Sequence, residues 1–205
     1  MRRLRKFLLD DRAGSAAEFA LVLPAFLALL LGSIDVGRYM WNVGQLEKAT
    51  MMGARYAVVT DMIPSDLYSY SYAIDGGIPQ GEVVPLASFP GISCTSDGGA
   101  VACACPDGAC PFPNSNIDQT AFNRIVARMN MVYGGISPDN VRVDYAWSGL
   151  GYAGDPNGSD VDPIVTVSLE NMPFRPLIFA SLRDTQLPGT SHSLTMEDGR
   201  GERGF

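Results

Sequence analysis

Cys94, Cys103, Cys105 and Cys110 fall within 17 residues of a 205-residue chain that has no other cysteine. An even number of thiols at such close quarters either pairs as disulfides or holds a metal or cluster. The spacing C-x8-C-x-C-x4-C lacks the paired C-x2-C knuckles of zinc sites and the runs of iron–sulfur proteins, so disulfides are expected. A Cys103–Cys105 bridge is disfavoured, because side chains two apart in an extended segment point the same way at an awkward separation. Two pairings stay open: 94–103 with 105–110, or 94–105 with 103–110.

Other chemistry is sparse. His192 is the only histidine and sits in a strand-like run, so no Ser/His/Asp or Cys/His arrangement is available and catalysis is not expected. Asp155, Asn157, Ser159, Asp160 and Asp162 in GDPNGSDVDP cluster oxygens that suit calcium. The stretch lacks the placed Gly and terminal Glu of an EF-hand and reads as a solvated Asx-rich turn, so no metal or other cofactor is expected. Gly98-Gly99 and Gly151-x-x-Gly154 read as turn punctuation rather than a phosphate loop. The net charge is −7, and residues 1–14 carry five basic and two acidic side chains, which leaves about −10 on the remainder. Such an acidic body, without basic patches, is unsuited to nucleic acid and shows no small-molecule substrate site.

The carboxylate that stands out is Glu18, about a turn inside an apolar run. From Phe19 to Ile34 no residue is charged, and counting back to Ala13 gives 22 residues, enough to cross a hydrocarbon core of about 30 Å. A carboxylate just inside hydrocarbon costs about 2.5 kcal/mol or more unless it reaches water or a partner. Arg2, Arg3, Arg5, Lys6 and Arg12 precede the run and no comparable basic excess follows. The first dozen residues are therefore expected to stay cytoplasmic, with everything after Asp35 exported. The run is too long for a cleaved secretory signal and no small-x-small site follows Leu31. A retained single-pass anchor in the inner membrane is expected. Pro24 inside the span removes one helix hydrogen bond, which membrane helices tolerate.

The string GSAAEFALVLPAFLALLLGSIDVGRYMWNVGQLEKATMMGARYAV resembles the N-terminal segment of TadE-like proteins, minor pilin-like components of the tight-adherence (Tad) pilus machinery. Weaker resemblance extends to IVTVSLENMPFRPLIF and the polar tail. The resemblance implies cutting by a prepilin peptidase near Ala13, Gly14 and Ser15, with the apolar helix kept in the mature chain. Cleavage after Gly14 makes Glu18 the fourth mature residue, and cleavage after Ala13 makes it the fifth, the family's usual place. It further implies that the Glu18 carboxylate meets the new α-amino group of a neighbouring pilin or pseudopilin subunit and sets its depth.

Beyond the span, Val36, Tyr39, Met40, Val43, Leu46, Thr50, Met51, Ala54 and Val58 recur at helical spacing, so residues 35–60 are expected to continue as an amphipathic helix whose apolar stripe covers a head, residues 61–205. Residues 62–115, rich in Gly, Pro, Ser and Asp, read as a long loop region, with SDLYSYSYAI and GEVVPLASF as possible short strands. Ser115 or Asn116 is placed to cap a helix over 116–133, with Asp118 in its first turn. VRVDYAW, IVTVSL and SHSLTM alternate as strands within 141–196, joined by connections too unlike βαβ crossovers for a parallel sheet. The expected fold is α+β: a long N-terminal transmembrane and amphipathic helix on a small antiparallel sheet, the pilin-like plan.

The function these readings favour is structural: a minor pilin or pseudopilin of a Tad-type adhesion or secretion system, working with inner-membrane lipid, prepilin peptidase and other Tad assembly proteins. The competing reading is a membrane-anchored extracytoplasmic binding protein, calcium-dependent if residues 155–162 hold the ion, that never enters a filament.

Overall fold

The structure, a computed structural model, describes residues 14–177 and 185–201. The chain divides into two compact units, one holding residues up to Trp41 together with Phe174–Thr185, the other Asn42–Pro173 with the residues from Gln186 onward. One helix, α1 (Gly14–Ala57), contributes to both. The fold is the expected α+β: a long N-terminal apolar helix, a five-stranded antiparallel sheet and two disulfides in the loop region.

In the larger unit the strands are β1 (Ile92–Asp97), β2 (Ala100–Ala104), β3 (Val141–Ala146), β4 (Ile164–Leu169) and β5 (Thr190–Thr195), in the spatial order β2-β1-β3-β4-β5. Alternation does the sorting in β3, where Val141, Val143 and Tyr145 are buried and Arg142 and Asp144 are not. Register then aligns Cys103, Cys94, Val143, Val167 and His192 as one row across all five strands. Cross-strand neighbours share a face. The helices supply the matching apolar surface: Leu46, Ala49, Ala54 and Ala57 of α1, and Ala121, Phe122, Ile125 and Met129 of α3 (Gln119–Asn130) are buried. The approach of α1 is close: a Cβ added to Gly53 would lie 2.8 Å from Met129 Cγ and 3.2 Å from Val167 Cγ1.

Several elements differ from the sequence expectation. SDLYSYSYAI forms a short helix, α2 (Ser65–Ser69), rather than a strand. Asp66 anchors it: its Oδ2 accepts the backbone N–H of Ser115 at 2.9 Å and of Asn116 at 2.8 Å, and the Ser115 hydroxyl at 3.0 Å. Burial alone would raise the Asp66 pKa, but these three bonds outweigh it and hold the carboxyl below its ordinary value. GEVVPLASF forms no strand. The strands of this region lie instead in the cysteine-bearing stretch, where Gly98 and Gly99, at φ +57° and +87°, close a two-residue hairpin turn between β1 and β2.

The cap of α3 is neither Ser115 nor Asn116. Asp118 Oδ1 accepts from the N–H groups of Thr120 and Ala121 at 2.8 and 2.9 Å, which is N-cap geometry. The helix stops at Asn130, short of Val132 and Tyr133, and the Asn130 Oδ1 takes the N–H groups of Gly135 and Ile136. Along α1 the stripe is narrower than periodicity implies, since Val36 and Met40 are exposed.

The free edge of β2 is occupied by side-chain amides. Gln119 accepts from the Val101 N–H at 3.0 Å and donates to the Gly99 carbonyl at 2.9 Å, and Asn114 donates to the Cys103 carbonyl at 2.8 Å.

Tyr145 gives a test of this core. Its ring is buried, and its hydroxyl oxygen accepts the N–H of fully buried Ile63 at 3.2 Å. Tyr145→Phe keeps the ring and strands that donor, so unfolding of the detergent-solubilised full chain should become easier by about 1–3 kcal/mol. An unchanged melting temperature would show that the Ile63 N–H finds another acceptor.

Candidate functional site

Residues 19–34 of α1 contain no charged side chain, and the helix there is apolar on every side. Phe19, Leu21, Val22, Phe26, Leu29 and Ile34 all stand exposed. A continuous apolar surface of this extent needs an apolar medium or partner, and the helix is long and apolar enough to cross a membrane. Its polar groups are dealt with locally. The Ser33 hydroxyl donates to the Leu30 carbonyl at 2.7 Å, hiding it against the helix. Pro24 removes one backbone donor inside the helix.

Glu18 is exposed on α1, just before that surface begins. Of the processing residues, Gly14 and Ser15 lie within the helix, while Ala13 and the basic leader residues Arg2, Arg3, Arg5, Lys6 and Arg12 fall outside the described residues. The same holds for the last two residues of IVTVSLENMPFRPLIF and for 202–205 of the tail.

At the other end of the apolar run, Asp35 is only 5% exposed. Its Oδ1 accepts the backbone N–H of Leu177 at 2.9 Å and an Arg38 Nη1–H at 3.4 Å. Arg38 also donates to the Arg175 carbonyl at 3.4 Å and stands 5.8 Å from the centre of the Phe174 ring. Phe174 in turn meets Tyr39 edge-to-face, with centroids 5.2 Å apart. Residues 174–177 are thus strapped to α1 by a carboxylate, a guanidinium and an aromatic pair. Sequence reasoning used Asp35 and Arg38 only as flanking charges and missed this strap.

The structure pairs Cys94 with Cys103 and Cys105 with Cys110, 9 and 5 residues apart. The first joins directly opposed residues of β1 and β2, and its Cys94 end is fully buried in the row that continues to Val143 and Val167. In the loop-entropy account, closing loops of these lengths contributes on the order of 2–3 kcal/mol each. The described residues contain no free cysteine.

His192 lies at the far end of that row, on the edge strand β5. It borders a groove of about 580 Å³ lined also by Glu47, Lys48, Thr50, Met51 and Thr190. No nucleophile–base pair involving it forms among the described residues. In the acidic turn, the Asp160 carboxylate is spent on backbone donors, accepting from the Tyr72 N–H at 2.7 Å and the Asp155 N–H at 3.0 Å. Asp155 accepts from the Asn157 N–H at 2.8 Å, and the Ser159 hydroxyl oxygen from the Val161 N–H at 3.4 Å. Oxygens bound to N–H groups in this way organise a loop. Among the described residues no three His, Cys, Asp or Glu side chains gather as a metal site.

The family model described as TadE-like protein matches residues 14–55. The match covers the exposed apolar run, Glu18, the Asp35–Arg38 pair and Gly53, and none of the sheet. The likeness to TadE-like proteins thus spans 42 of the chain's 205 residues. No curated protein and no solved structure matches the chain.

Asp162 offers a pH test of the acidic turn. Burial, reinforced by the neighbouring Asp155 charge, raises its pKa. The protonated carboxyl therefore favours folding below the unfolded value, and that contribution is lost once pH has risen through the folded value. Asp162→Asn should raise the melting temperature at pH 7, with the gain fading as pH falls through the raised folded value and gone by about pH 4, the ordinary carboxylate value. Equal melting at pH 7 would mean that the ionised carboxylate is adequately hydrated in the fold.

Proposed function

We propose that this chain is a minor pilin-like component of a Tad-type pilus system, held in the inner membrane by a single pass of α1 with the sheet-bearing portion on the periplasmic side. The observation that carries this reading is the coincidence, in one TadE-like segment, of a lipid-compatible helix surface with a single carboxylate at its start. The basic residues before the span support the orientation. The two disulfides suit an oxidising compartment beyond the membrane.

In this reading prepilin peptidase cuts at Ala13–Gly14 or Gly14–Ser15 on the cytoplasmic side and exposes a new α-amino group. Glu18, costly to leave unpaired at the hydrocarbon boundary, meets the amine of a neighbouring pilin or pseudopilin subunit and fixes the axial register between them. Pro24 leaves one backbone carbonyl without its helical partner, a point at which the span can bend during extraction into a filament.

Mass spectrometry of the membrane-extracted chain tests the processing step. A mature protein starting at Gly14 or Ser15 is expected, and an intact N-terminus would favour an anchored binding protein that never enters a filament.

Glu18→Ala tests assembly. The variant should insert in the membrane as well as the natural chain or better, because the buried-charge cost is gone. Piliation should fall, since losing one contact worth about 1.4 kcal/mol already weakens an association about tenfold. Normal piliation would remove Glu18 from the assembly step.

A further inference from the structure

The apolar run and the bilayer do not have the same length. Counted from Glu18, a hydrocarbon core of about 30 Å takes up about 20 residues of helix and ends near Arg38, not at Ile34. Asp35 and Arg38 then fall at the hydrocarbon boundary, where an open ion pair would be costly. The structure shows how that cost is avoided: the Asp35 carboxylate is buried between the Leu177 N–H and the Arg38 guanidinium.

Most of the side chains left exposed around this arrangement are apolar, with Arg175 and part of Arg38 as the exposed charge. Val36 and Met40 stand 60% and 65% exposed, Trp41 69% and Leu177 67%. With Gly37 they continue the exposed apolar surface of residues 19–34, and the charge among them is the Arg38 guanidinium, 40% exposed and paired with Asp35. Past Arg38, exposed charge on α1 resumes at Glu47 and Lys48. A tryptophan and a methionine at this level, beside a tyrosine and an arginine, match the layer where headgroups meet acyl chains.

We infer that residues 34–41 of α1 and the strapped segment Phe174–Leu177 form a second lipid-binding surface, seated in the headgroup–acyl boundary of the leaflet distal to Glu18. Leu177 and Trp41 enter the upper acyl region. Asp35 is a positioning residue that holds the strap at this depth. The inference rests on the reading that residues 19–34 cross the bilayer, and it adds a contact from a segment more than a hundred residues further along the chain.

The test uses the full chain reconstituted in vesicles of phosphatidylethanolamine and phosphatidylglycerol, with some lipids brominated either just below the headgroup or near the acyl terminus. In a W41F/W147F background, L177W places a single tryptophan on the strap and L27W places one within the span. The L177W tryptophan should be quenched about twofold or more better by shallow than by deep bromines and shielded from aqueous acrylamide, as an interfacial tryptophan is. The L27W tryptophan should prefer the deep bromines. If L177W is quenched by acrylamide alone while L27W responds to the deep bromines, the span stands and the interfacial surface is wrong. If neither responds to brominated lipid, the spanning reading itself fails. Adding D35A to L177W should lower shallow quenching by about half while the L27W pattern is unchanged. Undiminished quenching would overturn the positioning role of Asp35.

Discussion

Helix α1 comes so near the sheet at Gly53 that even a methyl group there would press on Met129 and on the branched Val167. Glycine costs a helix interior about 1 kcal/mol relative to alanine, and here the contact it permits offsets that cost. The neighbours on the same face are also small or compact: Ala49, Thr50, Ala54 and Ala57 are all buried. A helix with this face can sit close to the strands, with Met129 and Val167 meeting it at Gly53. Thr50, a hydroxyl in that contact, is satisfied by the Leu46 and Glu47 carbonyls of its own helix. The sheet therefore packs on a helix whose other end is unsuited to water, and the two properties are carried by one uninterrupted element.

Much of this architecture was legible because the signals are local. An apolar run with one carboxylate, an amphipathic stretch ending in Gly134-Gly135 and three alternating segments each announce their element. β1 and β2 lack such a signal, since most of their residues are small (Cys, Ser, Thr and Ala) and Ile92 and Val101 are their only large apolar side chains. The signal present was Gly98-Gly99 separating two short runs by two residues, the spacing of a tight hairpin. That hairpin also settles which cysteines meet, because its register puts Cys94 opposite Cys103. Cysteine spacing alone cannot carry that information. Asp118 was recognised as a first-turn acid, one position away from its role, which is the accuracy expected of helix boundaries.

The candidate site divides in the same way. Glu18 and the span announce themselves through the cost of charge in hydrocarbon, a property of the residues themselves. The strap does not, because the donor that reaches Asp35 is a backbone N–H 142 positions away, and a main-chain donor has no signature in the sequence. The exposure of Val36 and Met40 has the same origin. Periodicity identifies an apolar face, but which part of it is covered depends on where Phe174 and Tyr39 meet.

A five-stranded open sheet has two edges, and each is a template on which another extended chain can form hydrogen bonds. In this sheet the β2 edge is closed by side chains: the amides of Gln119 and Asn114 stand where a sixth strand's backbone would have to stand. Gln119 thereby takes up the Val101 N–H and Asn114 the Cys103 carbonyl, one donor and one acceptor of the strand's outer side. A strand added at β2 would have to displace both amides, a cost that a bare edge does not carry. The guard on this edge is thus made of side chains from outside the sheet rather than of another strand.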